Sequence, residues 1–442
     1  MVKEIPYKSA KDLYLLLQEE PFSFILESSL YHEKYGRYSI ISASPFEVVE
    51  SKNRGDTLDI LKEKMRPFFR DSQGDLPFYG GAVGYLSYDA GRFFEGISAV
   101  SQDDVGAADL CFGLYDWGFV VDHHLRKTYI VTAGLDEQKE ERILSEREAM
   151  AKRKVCFERG EGEEEIEILS NFDREEYLDA IERVREYIRR GDVYQVNLTQ
   201  RFEGKTRRSA LDLYLSLRES SPTLFAALLN FEKLQVISNS PERFLKIRDR
   251  RIETRPIKGT RPRGRTEEED RRLKEELIKS EKDRAELLMI VDLERNDLGR
   301  VSEIGSVRVP ELFVAEEYAN VHHLVATVIS EMEKDSDVFD VIRGTFPGGS
   351  ITGAPKIRAM EIIEELEPTS RNVYTGSIGY IGFDGNADFN IAIRTIVKVG
   401  ERILFQAGGG ITWDSSAEDE YMESLHKAAA IMKVLGGRFS CR

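Results

Sequence analysis

The sequence predicts an α+β protein in which a strand-rich N-terminal part precedes a larger region of mixed strands and helices. Short apolar runs separated by glycine-rich turns dominate residues 1–150, for example at 24–26 and 119–121. The first strong helix signal follows residue 172, and strands and helices then mix without the regular spacing of a βαβ array. Together these observations favour one large α+β unit in the second half of the chain.

The chain divides into three parts on composition. Residues 1–150 form the strand-rich region, residues 151–171 a charged linker, and residues 172–442 the larger region. Charges of both signs crowd the stretch from about 137 to 167, which predicts a solvated helix followed by the linker. Within the first region, the run Gly-Gly-Ala-Val-Gly-Tyr-Leu at 80–86 has too many glycines for a surface helix. It predicts a strand that another backbone approaches closely.

A helix is predicted to open the larger region. Asp173 and Glu176 have the spacing of a capping box, and Gly191 stands where a C-cap is expected. Between them, apolar residues fall on one helical face: Leu178, Ile181, Val184 and Ile188.

Composition indicates a soluble globular protein with an acidic surface. The 442 residues are 41% hydrophobic and 32% charged, and 63 Lys and Arg against 79 Asp and Glu give a net charge of −16. This balance argues against nucleic acid as a partner, because phosphate binding requires a basic footprint. An anionic substrate would therefore need local cations or a metal ion in its site.

Cysteine usage and hydropathy point to the cytoplasm. Cys111, Cys156 and Cys441 are few and far apart, so neither a disulfide framework nor a structural zinc site is expected. The N-terminus has charges among its apolar residues and is no signal peptide. No run of about 18 apolar residues is present, so no membrane association is predicted.

Lys258 is the most informative single residue. It lies in Arg-Pro-Ile-Lys-Gly-Thr at 255–260, between a stiff Pro-Ile pair and a permissive glycine. If this lysine is held rigid and partly desolvated among arginines, its pKa falls and its amine can attack carbon. The plainer alternative is a solvated lysine on a surface loop.

Two sets of acidic residues have helical spacing. Asp283 and Glu286 are three residues apart, and Glu420, Glu423 and Lys427 follow i, i+3, i+7 spacing. Carboxylates one turn apart on facing helices suit a Mg²⁺ ion that keeps waters and bridges to an anionic substrate. The alternative is a pair of solvated helix faces with local ion pairs.

Two glycine-rich runs are candidate anion sites. Gly348 and Gly353 have the spacing of a phosphate loop, but Ala354-Pro355 stands where Lys-Ser/Thr is required, so ATP binding is rejected. Pro355 instead marks a helix start, which either attracts an anion or is simply capped. Gly408, Gly409 and Gly410 follow an apolar strand and predict a backbone nest for a carboxylate, or a simple turn.

Three more polar residues stand in apolar surroundings. Arg394 interrupts a buried-looking strand and needs an anionic partner, either a substrate or a core carboxylate. Glu242 lies between a proline turn and Phe244, where a raised pKa would suit a general acid. His323 by itself is more simply a core histidine.

These runs resemble the chorismate-utilising enzymes: anthranilate synthase, aminodeoxychorismate synthase, isochorismate synthase and salicylate synthase. The motif blocks are Pro-Ile-Lys-Gly-Thr-Arg-Pro-Arg-Gly at 256–264, Val-Asp-Leu-Glu-Arg-Asn-Asp-Leu-Gly at 291–299 and Gly-Gly-Ser-Ile-Thr-Gly-Ala-Pro-Lys at 348–356. The likeness covers about residues 172–435, with a weaker match in the N-terminal part. It implies two β-sheets packed as a sandwich flanked by helices, with the site in the cleft between them.

The resemblance also implies roles for the candidate residues. Glu286 and Glu423 would bind Mg²⁺ directly, with Asp283 and Glu420 beside them. The metal would hold the ring carboxylate of chorismate, helped by Lys427 and the run Gly408, Gly409 and Gly410.

The other end of chorismate has its own implied contacts. Arg394 and Tyr380 would grip the enolpyruvyl carboxylate, and Thr352 and His323 would line the ring. Glu242 would protonate the departing 4-hydroxyl.

Two positions then discriminate among family members. Isochorismate and salicylate synthases carry a lysine that activates water where this chain has Gln195, so ammonia is the expected nucleophile. Anthranilate synthases usually have alanine at position 258, whereas aminodeoxychorismate synthases have lysine. The resemblance therefore implies 4-amino-4-deoxychorismate as product, through a covalent Lys258 intermediate. Anthranilate formation is the first alternative, and a non-catalytic amino-acid-binding scaffold for an amidotransferase is the second.

Partners follow from the same resemblance. No cysteine lies in the sharp glycine-rich elbow of a glutaminase, so ammonia is expected from a separate glutamine amidotransferase subunit. Leu26-Glu27-Ser28 resembles the tryptophan-site motif of anthranilate synthases, with Pro222 opposite, although Ser221 departs from the usual asparagine. Tryptophan is thus a further expected ligand at Glu27, Ser28 and Pro222.

Overall fold

The computed structural model describes residues 1–30, 32, 35–72, 74–157, 166–318 and 321–439. These residues form eleven α-helices: α1 (Ala10–Leu17), α2 (Thr57–Met65), α3 (Ala90–Glu95), α4 (Glu137–Ala151), α5 (Arg174–Arg190), α6 (Ala210–Ser220), α7 (Glu267–Lys279), α8 (Glu281–Gly299), α9 (Val338–Thr345), α10 (Lys356–Leu366) and α11 (Ala417–Leu435). Single 3₁₀ turns occur at Arg66–Phe68 and Gly349–Ile351.

The same residues form 23 strands in chain order. They are β1 (Val2–Ile5), β2 (Ser23–Glu27), β3 (Tyr38–Ser42), β4 (Glu47–Ser51), β5 (Gly81–Leu86), β6 (Leu110–Tyr115), β7 (Trp117–Asp122), β8 (Lys127–Thr132), β9 (Ile166–Ser170), β10 (Gln195–Lys205), β11 (Phe225–Asn230), β12 (Gln235–Ser240), β13 (Arg243–Arg248), β14 (Arg251–Arg255), β15 (Ile257–Pro262), β16 (Arg308–Glu317), β17 (Val321–Glu331), β18 (Gly353–Ala354), β19 (Ser377–Gly382), β20 (Ala387–Asn390), β21 (Thr395–Val399), β22 (Arg402–Ile411) and β23 (Gly437–Phe439).

The strands build two large sheets. The first runs in the order β1-β8-β7-β3-β2-β11-β12-β21-β22-β10-β9-β23, with β18 paired to β10. The second runs in the order β15-β17-β14-β13-β20-β19-β5-β6-β4, with β16 paired to β17. Among the described strands, β23 lies parallel to β9 and the other pairings are antiparallel. The predicted α+β class with two sheets and flanking helices is confirmed.

Buried side chains define the layers of this sandwich. One apolar cluster joins residues of both sheets, such as Phe24 and Val236 from the first and Val83 and Ile378 from the second. A second cluster packs α1 and α6 on the outer face of the first sheet. A third, larger cluster joins α2, α8, α9 and α10 to strands of both sheets. Each sheet therefore buries apolar side chains on both faces, which explains the strand runs without polar alternation.

Strands from the first 150 residues and from the larger region share both sheets. β2 pairs with β11 in the first sheet, and β5 pairs with β19 in the second. Within the predicted linker, residues 158–165 lie outside the described residues, and β9 follows them. The three-part division thus stays a prediction about the sequence, while the two larger parts contribute to one sandwich.

Several local predictions are confirmed. α5 begins with a complete capping box between Asp173 and Glu176, and Gly191 ends it in a left-handed conformation with φ of 83°. The glycine-rich run at 80–86 forms β5, where a side chain on Gly84 would overlap the backbone of Cys111. Within the described part of the chain, no helix is both long and apolar enough to cross a membrane.

Candidate active site

Lys258 lies on β15, at the edge of the second sheet, and its amine contacts the 3₁₀ turn Gly349–Ile351. Its backbone pairs with Leu324 of β17, and Nζ donates to the carbonyl oxygen of Ser350 at 3.1 Å. Burial lowers the pKa of Lys258, although Glu286 and Glu242 oppose that effect. The lysine is therefore held in place and partly desolvated, and the surface-loop alternative does not describe it.

Glu242 is the buried acid beside this amine. It lies between β12 and β13, is 5% exposed, and accepts a long hydrogen bond from the backbone N–H of Ile257 at 3.4 Å. Burial raises the pKa of Glu242, while the nearby Lys258 charge lowers it. The carboxyl group consequently keeps its proton at higher pH than an exposed glutamate.

Three charged side chains of α11 converge on Gly409 of β22. A β-carbon built on Gly409 would lie 2.9 Å from Glu420 Oε2, 3.6 Å from Glu423 Oε1 and 3.7 Å from Lys427 Nζ. The i, i+3, i+7 stripe thus runs past Gly409, with Glu420 buried and the side chains of Glu423 and Lys427 half exposed.

The two glutamates of this stripe have different surroundings. Glu420 is 6% exposed and accepts a hydrogen bond from Ser415 Oγ at 2.7 Å, and burial raises its pKa. Glu423 pairs with Lys427 at 2.7 Å; burial would raise its pKa, but Lys427, Lys282 and Lys258 together lower it below the ordinary value. Lys427 Nζ also donates to the carbonyl of Gly408 at 2.9 Å.

Glu286 on α8 lies near enough to Glu423 and Lys258 for their charges to shift its pKa. Burial raises the pKa of Glu286, and the carboxylates of Asp283 and Glu423 raise it further, while Lys258 and Lys282 oppose them. Carboxylates that repel one another in this way favour the binding of a cation. Glu286 and Glu423 are thus brought into one electrostatic cluster, as the resemblance implies.

The donor set fits Mg²⁺ held through few protein ligands. Among the described residues, no group of three or more His, Cys, Asp or Glu side chains is arranged as a closed metal cage. Magnesium usually keeps several waters and takes one or two carboxylates plus substrate oxygens. Glu286 and Glu423, supplied by two different helices, match that pattern.

Asp283 is placed differently from the other three acids. Its Oδ2 pairs with Arg261 Nη2 at 3.1 Å, and its side chain packs against Gly259. Asp283 therefore faces the strand that carries Lys258.

The three glycines at 408–410 lie inside a strand, so the predicted nest or turn is wrong. β22 continues to Ile411, and Gly408, Gly409 and Gly410 pair with Thr199, Leu198 and Asn197 of β10. A side chain on Gly408 would overlap the β10 backbone, which is why glycine is required. β21 pairs with β22 only as far as Phe405, so the glycine segment has a ladder partner on one side alone.

Gln195 and Thr352 are buried near the glycine segment of β22. Gln195 is 1% exposed, its amide nitrogen fills the space a side chain on Gly410 would need, and its Oε1 has no hydrogen-bond partner among the described residues. Thr352 is fully buried and donates to the carbonyl of Gly348 at 3.0 Å. Its own carbonyl accepts from the backbone N–H of Asn197 at 2.8 Å.

Arg394 lies in the connection between β20 and β21, not in a strand as expected. Its φ of 50° is left-handed, which ends the extended run before β21 begins. Burial lowers the pKa of Arg394, and no carboxylate pairs with it in the described part of the chain. The core-carboxylate alternative is therefore excluded within those residues, and the guanidinium is available to an anion.

His323 lies on β17, close to Arg394. It is 4% exposed, and its Nδ1 is 2.9 Å from Thr260 Oγ1. Burial, together with the Arg394 charge, lowers the pKa of His323 to about 3. The imidazole is thus neutral at physiological pH.

Tyr380, predicted to grip the enolpyruvyl carboxylate together with Arg394, lies in a cavity whose lining does not include Arg394. Tyr380 lines a separate cavity of about 370 Å³ between the sheets. Its ring packs edge-on against Phe78, with 5.7 Å between the two ring centroids. Burial raises its pKa, and the charged groups around it include Asp388 and Arg243. Alternation along β19 turns position 380 to the inner face of the sandwich.

The same cavity contains two of the three residues predicted to bind tryptophan. Glu27 and Ser28 line it, whereas Pro222 is not among its lining residues. Glu27 already accepts two hydrogen bonds from Arg218, at 2.7 and 2.9 Å, and one from Tyr214 at 2.7 Å. Its carboxylate is thus paired within the protein.

Sequence reasoning missed residues that act through the backbone or at long range. Ser350 contributes a carbonyl oxygen to Lys258, and Thr260 positions His323. Lys282 lies near all three glutamates and lowers the pKa of each. Ser350 and Thr260 had a signal, since each lies inside a motif block, at 348–356 and 256–264 respectively.

The chain is similar to known proteins along nearly its whole length. Residues 23–433 match the family described as chorismate binding enzyme. The chain is 42% identical to anthranilate synthase component 1 of Aquifex aeolicus, over 96% of this chain and 91% of that one. It is 40% identical to aminodeoxychorismate synthase component 1 of Escherichia coli, over 97% and 96%. The solved structure of anthranilate synthase component I from Streptococcus pneumoniae superposes with a TM-score of 0.82, 31% identity, and coverage of 91% and 93%.

Proposed function

Because the chain belongs to the family of chorismate binding enzymes, we propose that it is an aminodeoxychorismate synthase component I. The proposed reaction converts chorismate and ammonia to 4-amino-4-deoxychorismate, a precursor of 4-aminobenzoate and folate. The observation that carries the choice is Lys258: a desolvated amine fixed to the Ser350 carbonyl and flanked by Glu242 and Glu286. Relatives of both names are about equally similar, so the proposal depends on this residue rather than on overall identity.

Substrate binding is assigned to the cations and the glycine strand. Lys427 would hold the ring carboxylate of chorismate above Gly409, where its Nζ already contacts the strand. Arg394, which has no carboxylate partner among the described residues, would pair with the enolpyruvyl carboxylate. Thr352 and the neutral His323 would line the ring between them.

Mg²⁺ is the proposed cofactor. Glu286 and Glu423 would hold it, and Glu420, anchored by Ser415, would lie beside them. When bound, the ion neutralises the ring carboxylate and the surrounding glutamates, which otherwise raise the electrostatic cost of an anionic substrate.

The proposed chemistry uses Lys258 as nucleophile and Glu242 as acid. The neutral amine attacks C2 of chorismate, both ring double bonds shift, and the 4-hydroxyl leaves as water with the proton of Glu242. Ammonia then adds at C4, both double bonds shift back, Lys258 leaves C2 as a neutral amine, and the new ammonium group returns a proton to Glu242. Gln195 cannot act as a base toward water, which favours ammonia over hydroxide in the second step.

Ammonia is proposed to come from a separate glutamine amidotransferase subunit. Cys111 is buried inside β6, and burial raises its pKa, so it is a poor nucleophile. Cys156 is exposed within the predicted linker, and Cys441 lies outside the described residues. A cytoplasmic location, as expected from the sequence, stays part of the proposal.

A product assay tests the proposal. The chain would be incubated with chorismate, Mg²⁺ and an ammonium salt at alkaline pH, with and without added aminodeoxychorismate lyase, and analysed by mass spectrometry. The expected product is 4-aminobenzoate, formed only when the lyase is present. Anthranilate without the lyase would assign the chain to the rival activity. No consumption of chorismate at all would favour the non-catalytic scaffold.

Lysine variants sharpen that assay. Lys258→Ala should abolish 4-amino-4-deoxychorismate formation. Lys246→Ala is the matched control, because Lys246 is also half-buried with a pKa lowered by burial, but it lines the separate cavity. Undiminished activity of Lys258→Ala would show that another group performs the attack.

Tryptophan binding is a second proposal, at the cavity that contains Glu27, Ser28 and Tyr380. Its volume of about 370 Å³ and its aromatic lining suit a ligand of this size. Dialysed protein that contains no tryptophan by mass spectrometry, and that shows no heat of binding with added tryptophan, would remove the proposal.

A further inference from the structure

We propose that Asp283 is a positioning residue for Lys258: paired with Arg261, it clamps the glycine bulge that immediately follows the lysine. The resemblance places Asp283 beside the metal ion, whereas its contacts in the structure point toward β15. The inference rests on the proposed function insofar as Lys258 is the reacting amine.

The backbone next to Lys258 is irregular, which makes its position adjustable. The pairing of β15 with β17 slips between Lys258 and Thr260, so Gly259 forms a bulge. Gly259 has a φ of 75°, a conformation that glycine adopts without strain. A bulge of this kind aims the preceding side chain, and it needs external contacts to fix that aim.

Asp283 supplies one of those contacts from the first turn of α8. A β-carbon on Gly259 would lie 2.9 Å from Asp283 Cγ and 2.9 Å from Leu277 Cδ1. The bulge is therefore seated in a gap between α7 and α8 that admits only glycine. Asp283 is itself fixed, because its backbone N–H donates to the N-cap residue Ser280 at 3.3 Å.

Arg261 closes the clamp from the other side of the bulge. Its Nη2 donates to Asp283 Oδ2 at 3.1 Å, and its Nε donates to Glu276 at 3.0 Å. The side chains of Arg261 and Asp283 are 26% and 15% exposed, so the pair is shielded from solvent more than a surface ion pair. The pair links the strand, three residues after Lys258, to the helix that carries Glu286.

The clamp on Gly259 also affects the positions of its two neighbours, Lys258 and Thr260. Lys258 Nζ reaches Ser350 at 3.1 Å on one side, and Thr260 Oγ1 reaches His323 at 2.9 Å on the other. Release of Gly259 would let both contacts shift together. A displacement of about 1 Å in a reacting group can cost about 100-fold in rate.

Two single substitutions and a matched control test the clamp. Asp283→Asn and Arg261→Gln each remove the ion pair with little change in size. Arg263→Gln removes a comparable pair on the same segment, Arg263–Asp270 at 2.7 Å, that does not touch the bulge. Three quantities would be measured: kcat with ammonium, the Mg²⁺ concentration for half-maximal rate, and the labelling rate of Lys258 by trinitrobenzenesulfonate in ligand-free protein, read by peptide mass spectrometry.

The clamp predicts a specific pattern. Asp283→Asn and Arg261→Gln should each lower kcat by about 10- to 100-fold, and the double variant should be no worse than either, since both remove one unit. The Mg²⁺ requirement should stay within about twofold, and Arg263→Gln should stay within about twofold in kcat. If Asp283→Asn instead raises the Mg²⁺ requirement tenfold or more while Arg261→Gln behaves normally, Asp283 belongs to the metal site and the clamp is refuted.

Failure of the clamp can be told apart from failure of the proposed function. If Lys258→Ala still converts chorismate at the wild-type rate, the function assigned to Lys258 is wrong. The clamp is then judged by labelling alone: Asp283→Asn and Arg261→Gln should change the labelling rate of Lys258 several-fold, and Arg263→Gln should not. Unchanged labelling in both clamp variants would overturn the inference whatever the product of the enzyme.

Discussion

Replacement of Arg394 by methionine is expected to stabilise the ligand-free protein and at the same time to remove chorismate binding. The guanidinium is partly desolvated, and no carboxylate compensates it among the described residues. Such a cation raises the free energy of the folded state until an anion arrives. Methionine keeps the length of the side chain and its packing while it removes the charge.

Two magnitudes follow from these surroundings. A desolvated ion costs several kcal/mol when fully buried, and Arg394 is only half-buried, so the variant should gain about 1–2 kcal/mol in free energy of unfolding. The left-handed φ of 50° costs arginine and methionine alike, and it cancels. A pair of charge-assisted hydrogen bonds to a carboxylate is worth about 3 kcal/mol, so the affinity for chorismate should fall about 100-fold.

Urea unfolding followed by circular dichroism measures the first effect, and calorimetric titration with chorismate and Mg²⁺ measures the second. Arg255→Met is the control with the opposite sign. Arg255 is 5% exposed and pairs with Glu316 at 2.6 Å. Its replacement leaves the Glu316 carboxylate without this partner and should lower the free energy of unfolding by about 3 kcal/mol.

The prediction fails if the Arg394 variant is destabilised as much as Arg255→Met, because that result would reveal a partner inside the protein. It also fails if stability rises but chorismate still binds with wild-type affinity. In that case the cation serves some other anion.

Three further predictions concern pH and a buried ion pair. Burial lowers the pKa of His323 to about 3 in the folded state, against about 6.5 in the unfolded state, so the stability present above pH 6.5 is lost as the pH falls. Between pH 7 and 5, the free energy of unfolding in urea should therefore fall by about 2 kcal/mol more for the wild type than for His323→Gln. Equal losses would contradict this prediction. Lys356 pairs with Asp297 at 2.5 Å, and both side chains are 6% exposed. Lys356→Met should therefore cost about 3–5 kcal/mol in thermal or urea unfolding, and a smaller loss for the double variant Lys356→Met/Asp297→Leu would confirm the pair as the cause. At fixed free ammonia, the rate should rise with pH with an inflection below the ordinary lysine pKa, because the attacking Lys258 amine must be neutral; a flat profile would exclude that step.

Much of the fold followed from local chemistry. Caps, apolar spacing and strand runs predicted α5 and β5, because these features depend on neighbours a few residues away. The acidic stripe at 420–427 was also visible in the sequence, since helical spacing alone puts those side chains on one face. What the stripe faces was not visible.

Tertiary structure decided the rest, because the decisive contacts join residues that are far apart in the chain. The glycines at 408–410 resemble a turn locally, yet they lie in β22, since only glycine tolerates the approach of β10. Tyr380 was predicted to grip the same substrate carboxylate as Arg394, but strand alternation turns its side chain into the other cavity.

The same division applies to the reactive centre. The sequence by itself determined that a lysine follows Pro-Ile and precedes glycine, and that carboxylates recur at helical spacing. Only the structure decided that Ser350, 92 residues away, receives the amine, and that Asp283 packs on Gly259 rather than facing Gly409. The physical reason is that burial, which sets the pKa of Lys258 and the energy of Arg394, arises only when distant elements close over a side chain.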